Sequence, residues 1–139
     1  MFRVRAPLTR SSSWLILNLP MLKLHPSHAS ASEAGDYFQV MFEEQADAEG
    51  SRYLLIQRQF EFPDEECCAI ETEQPDVCGH FQIQRAVLER ARFQVWWSGG
   101  SKSKADVTFE ADDESYADVR RIMRIMIPQI EVRPNDKMC

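Results

Sequence analysis

Short runs of alternating apolar and polar residues, separated by turn-forming residues, fill the chain from residue 37 to residue 110. A period of two places successive side chains on opposite faces of a strand. The clearest run is residues 52–62. Leu54, Ile56, Phe60 and Phe62 share one face with Arg58, and Tyr53, Leu55, Gln57, Gln59 and Glu61 share the other. This run predicts a central strand with Ile56 and Phe60 in the core. Further strands are predicted at residues 37–42, 67–73, 80–88, 93–97 and 104–110. In residues 80–88 the strict alternation groups Arg85 with Phe81, Ile83 and Val87, opposite Gln82, Gln84 and Ala86. In residues 93–97 it sends Phe93, Val95 and Trp97 inward and Trp96 outward.

The period then changes. Asp112, Asp113 and Glu114 open a helix whose first turn suits acids, with Arg120, Arg121 and Arg124 further along. Tyr116, Val119, Met123, Met126, Ile127 and Ile130 recur at helical spacing, which predicts one stripe packed on the sheet. Pro128 is expected to end this helix. The fold class expected is α+β: an antiparallel sheet of about six short strands with one C-terminal helix. Connections this short favour antiparallel neighbours, and 139 residues suit one domain.

Residues 1–35 read differently. A basic start, an apolar stretch from Trp14 to Leu22 and a Ser/Ala/Pro-rich run give this segment partial signal-peptide character. Asn18 and Pro20 break the apolar stretch, and Met21 offers an internal start. The expectation is a disordered segment or N-terminal extension over residues 1–35, a single α+β domain over 36–132, and a flexible tail over 133–139.

Charge is unevenly placed. The net charge is -6, yet residues 36–76 hold twelve acids against two bases. Such a stretch repels nucleic acid and anionic lipid and attracts a basic partner. We therefore expect a protein partner, no nucleic acid and no membrane. The acids Glu43, Glu44, Asp47 and Glu49, with Asp64, Glu65 and Glu66, fall in predicted connections, where they can steer a partner. Trp96, as an outward aromatic, is the candidate anchor. The four cysteines, Cys67, Cys68, Cys78 and Cys139, lack the spacing of a disulfide framework, which points to a reduced, cytoplasmic chain.

Catalytic chemistry has little to stand on. Cys67 or Cys68 with Cys78 and His80 is the best metal set, but adjacent strand residues face opposite ways, so only three ligands could meet. Gly99 and Gly100 form a lone pair in a loop rather than a phosphate cradle. Arg58 and Arg85, each on an apolar face, are more simply edge residues or ion-pair partners than holders of an anionic substrate. The expectation is no enzyme, no cofactor and no metal.

The run from Arg52 to Arg58 resembles the tyrosine-leucine-x-x-glutamine-arginine strand of the immunity protein 10 family, found beside toxin genes in bacterial polymorphic toxin systems. The similarity continues through the acidic turn at Pro63 to Glu66, through Glu71 and Gln74, and through Cys78, Gly79 and His80. It extends to the hairpin from Arg90 to Trp97, the strand at Val107 to Phe109 and the closing helix, so it covers about residues 37–127. Tyr53, Gln57, Arg58 and Gly79 are the residues that carry the motif. The resemblance implies an immunity protein that binds and neutralises a cognate protein toxin, and the acidic stretch would suit a basic one. The alternative kept beside it is a small pleckstrin-homology-like binding module without a toxin partner.

Overall fold

The computed structural model describes residues 21–26, 28–44, 51–60, 67–75, 77–99 and 103–134. They form β1 (Leu22–Leu24), β2 (His28–Ala34), β3 (Tyr37–Glu43), β4 (Tyr53–Gln59), β5 (Cys67–Thr72), β6 (Cys78–Glu89), β7 (Arg92–Trp97), β8 (Lys104–Thr108), α1 (Asp113–Met126) and β9 (Glu131–Val132). The chain is α+β, mostly sheet with one helix near its C-terminus among the described residues. Among the described residues the sheet has nine strands rather than about six. The six predicted strands are all present as β3 to β8, and β1, β2 and β9 are additional.

Strands β2 to β8 run antiparallel in chain order. β1 adds to β8 in parallel, and β9 adds to β6 in parallel. The twelve-residue β6 belongs to both halves of the sheet. Its first part, up to Gln82, pairs with β5, and its remainder from Ile83 pairs with β7. The halves fold over one another around this strand. The Phe42 ring of β3 stacks on Phe93 of β7 at 5.6 Å and meets Phe109 at 5.2 Å. Between the halves lie Val40, Leu54, Ile56, Ile70, Leu88, Val95 and Val107, all essentially inaccessible.

The register shift between Ile83 and Arg85 corrects the predicted faces of β6. One extra residue in a strand reverses the facing of everything after it. Ala86 and Leu88 pair with the inward Val95 and Phe93, while Arg85 and Val87 pair with Trp96 and Gln94 on the outer face. Arg85 is thus exposed, not set among core residues.

The domain also starts earlier than residue 36. Leu22 and Leu24 are buried in β1, and Ala29 in β2. β2 escaped prediction because alanine and serine are poor strand formers with little apolar area. Their small size has a use, since α1 lies against β2 and β3. Ala29 and Ala31 let the helix approach closely, and Arg121 of α1 pairs with Glu33 at 2.9 Å. Gly35, at φ +63° in the two-residue turn to β3, supplies a conformation that side chains disfavour.

Asp112 caps α1 by accepting the Ser115 N–H at 2.7 Å, and that bond lowers its pKa. Tyr116, Val119, Ile122, Met123 and Met126 form the buried stripe. The helix stops before Pro128, as expected. The chain beyond it stays attached. The Arg133 N–H donates to the Leu88 carbonyl at 2.9 Å, and its guanidinium meets Glu131 at 2.7 Å and Glu89 at 3.0 Å. The expected tail at 133–139 therefore begins with a fixed residue, and residues 135–139 lie outside the described ones.

Candidate binding surfaces

Because the inner faces of both halves are in the core, function falls to the outer faces. On the first half, alternation brings Tyr37, Gln39 and Met41 of β3 beside Tyr53, Leu55 and Gln57 of β4. Gln39 lies directly opposite Gln57, and Leu55 lies between Met41 and Glu71 of β5. The polar groups are tied together. Gln57 Nε2 donates to Gln39 Oε1 at 3.1 Å, and the Tyr37 hydroxyl donates to the same oxygen at 3.2 Å. The Tyr53 hydroxyl donates to Glu71 Oε2 at 2.8 Å. Burial, and then this carboxylate acceptor, push the Tyr53 pKa up to about 12, so it is a neutral donor across the physiological range. Glu43 and Glu71 make no ion pair among the described residues, and no lysine or arginine stands at the described outward positions of β2 to β5.

This arrangement gathers Tyr53 and Gln57 from the family motif on one face, with Glu43 at its rim. Glu44 is placed differently. It grips Arg52 with two hydrogen bonds at 3.0 and 2.7 Å and accepts the His25 N–H at 3.0 Å. The Arg52 bonds lower its pKa. Glu44 is thus engaged in joining the β3–β4 connection to the chain after β1. Asp47, Glu49, Asp64, Glu65 and Glu66 lie outside the described residues. The connections that carry them leave β4 at opposite ends, after Glu43 and after Gln59.

Arg58 faces inward, as its parity predicts, at the rim of the core rather than on the outer face. Its Nη1 donates to the Met126 carbonyl at the C-terminal end of α1, at 2.6 Å, and its guanidinium lies 4.5 Å from the Phe60 ring. A cation there satisfies a terminal carbonyl and complements the helix dipole. It borders a cavity of about 420 Å³ floored by Cys68, Ile83, Met126 and Ile127, with Gln82 and Gln129 beside it. Burial pushes the Cys68 thiol up to about 11, which keeps it protonated and unreactive. Gly79 serves packing. A Cβ there would come within 3.2 Å of the Phe81 ring, which also lies beside Gly99.

Trp96 is on the outer face of the second half, half-buried between Arg85 and Lys104. Cys67, Cys78 and His80 do not converge, and no group of three His, Cys, Asp or Glu side chains is placed to hold a metal among the described residues. No helix among them is long and apolar enough to cross a membrane. The residues that the sequence reading did not single out are Gln39 and Met41, and Glu71 entered it only through the family resemblance. Their signal was the parity of β3 and β5 relative to the Tyr53 strand. Comparison with protein-family models, with curated proteins and with solved structures finds no match.

Proposed function

We propose that this chain is an immunity-type protein that binds and neutralises a basic protein toxin through the outer face of β3 to β5. The observation that carries the proposal is the make-up of that face. It sets two half-buried tyrosines and a half-buried methionine around the buried Leu55, among paired glutamines and two acids, with no cation at its described outward positions. Tyrosine and methionine are enriched at interface centres, and amide groups supply hydrogen bonds at little desolvation cost relative to charges. The anionic rim favours a basic partner and speeds its approach. The resemblance of the β4 strand to the immunity protein 10 motif agrees with this face, because Tyr53 and Gln57 stand at its centre. A cytoplasmic setting belongs to the same reading and is supported by three unpaired thiols, Cys67, Cys68 and Cys78.

Growth protection tests it. Cells expressing the protein encoded by the adjacent gene should survive only when this chain is co-expressed. Gln57→Arg with Met41→Arg, which places cations on the face, should abolish rescue while the variant remains folded. Full rescue by that variant would remove this face from the proposal. The second reading, a pleckstrin-homology-like module, is favoured by one observation, the seven antiparallel strands β2 to β8 followed by α1. A toxic adjacent gene product that this chain neutralises would decide against it.

A further inference from the structure

The outer face of the second half has the opposite character. Trp96 of β7 pairs in register with Arg85 of β6 on one side and Lys104 of β8 on the other. The guanidinium carbon of Arg85 is 5.1 Å from the indole centroid, and the Lys104 ammonium is 4.8 Å from it. Lys23 of β1 is exposed on the next strand, in register with Asp106. The acids of this face are already engaged. Asp106 accepts two bonds from Arg92 at 3.0 and 2.8 Å, and Glu131 and Glu89 are held by Arg133. Arg85 reaches Glu131 only at 3.8 Å, and neither lysine forms an ion pair among the described residues. A protein of net charge -6 therefore presents a row in which Arg85 and Lys104 flank one tryptophan, with Lys23 exposed beside the neighbouring row.

We infer that this row is a second interface, which takes a carboxylate-rich polypeptide segment. Charge complementarity selects an anionic occupant. The rest of the molecule selects which one. Across three strands the Arg85–Trp96–Lys104 row spans only about 10 Å, so it matches a short acidic segment. A long polyanion or an anionic bilayer would also face the rest of a chain of net charge -6 and be repelled. Trp96 gives the segment an apolar surface beside its carboxylates, and the Arg85 fork suits a carboxylate's geometry. The inference is independent of the toxin reading, since it concerns the other half of the sheet and a partner of the other sign.

The test is fluorescence anisotropy of a fluorescein-labelled Glu-rich peptide titrated with the full chain, at low and high salt. Polydeoxythymidylate and phosphatidylserine vesicles serve as alternative polyanions. Saturable peptide binding that weakens with salt is expected. It should fall by about tenfold or more in the Arg85→Glu, Lys104→Glu protein. Arg85→Gln with Lys104→Gln should give a smaller loss, and keeps the test valid if charge reversal unfolds the chain. Absence of peptide binding overturns the inference. So does unchanged affinity in natively melting variants, or tighter binding of the polynucleotide or the vesicles than of the peptide.

Discussion

Tyr53 shows how one side chain serves the fold and the candidate surface together. Its ring is half-buried on the outer face and its hydroxyl is committed to Glu71. A tyrosine whose folded pKa is raised contributes stability that is fully present below the unfolded value, about 10. That contribution is lost as pH rises through the folded value, about 12. Near-ultraviolet difference titration of the wild type against Tyr53→Phe should therefore show a phenol ionising near 12. Ionisation near 10 would mean that the phenol is neither buried nor bonded to Glu71. Asp106 behaves in the opposite sense. Its bonds to Arg92 lower its pKa, so its contribution is present above the unfolded carboxylate range and lost as pH falls through the lowered value. Asp106→Asn should cost on the order of 1 kcal/mol near neutrality. Its melting temperature should converge on that of the wild type in acid, and a constant difference down to the acid limb would refute the pairing. In the core, Ile56 is inaccessible and Ile56→Ala should cost roughly 2–5 kcal/mol in denaturant unfolding. Phe60, expected in the core, is only half-buried, edge-on to Phe38 at 5.7 Å, so Phe60→Ala should cost less than Ile56→Ala.

Elements were legible in the sequence where side chains alternate and are large. β4 is central between β3 and β5, and its two faces were readable residue by residue because both carry bulky, distinct side chains. The helix announced itself through its acidic start and apolar stripe, although Ile122 was missing from the expected stripe. β2 was not legible because its inward residues are alanines, whose role comes only from a helix that arrives about eighty residues later. β1 and β9 are too short for periodicity, at three and two residues. The reversal in β6 was invisible because a bulge leaves no apolar signature when the residue it displaces is a glutamine. Of the candidate surface, the β4 contribution was readable, but its neighbours depended on register. These differences change what truncation should do. A chain starting at Asp36 loses β1 and β2, uncovers Leu22- and Ala29-facing core under α1 and beside β8, and should lose its cooperative transition. Cooperative melting of the Asp36 chain would show that the first two strands are accessory.

At the scale of the whole molecule, two outer faces of opposite charge share one core. The first, on β3 to β5, is aromatic, amide-rich and anionic; the second, around Trp96, is cationic. Sequence charge alone suggested a single anionic protein with one kind of partner, because net charge averages over faces of opposite sign. The distinction has kinetic consequences. Acids at the rim of an interface act mainly on association and are screened by salt, while buried contacts at its centre govern dissociation. The most direct measurement is the binding kinetics of the full chain with the adjacent gene's protein, at low and high salt. The wild type is compared with Glu43→Lys and with the Met41→Arg, Gln57→Arg pair. Glu43→Lys should slow association at low salt, with the difference closing at high salt. The Met41 and Gln57 substitutions should speed dissociation at either salt, by about tenfold or more. Kinetics unchanged in both variants, with their melting intact, would contradict the assignment of the β3 to β5 face.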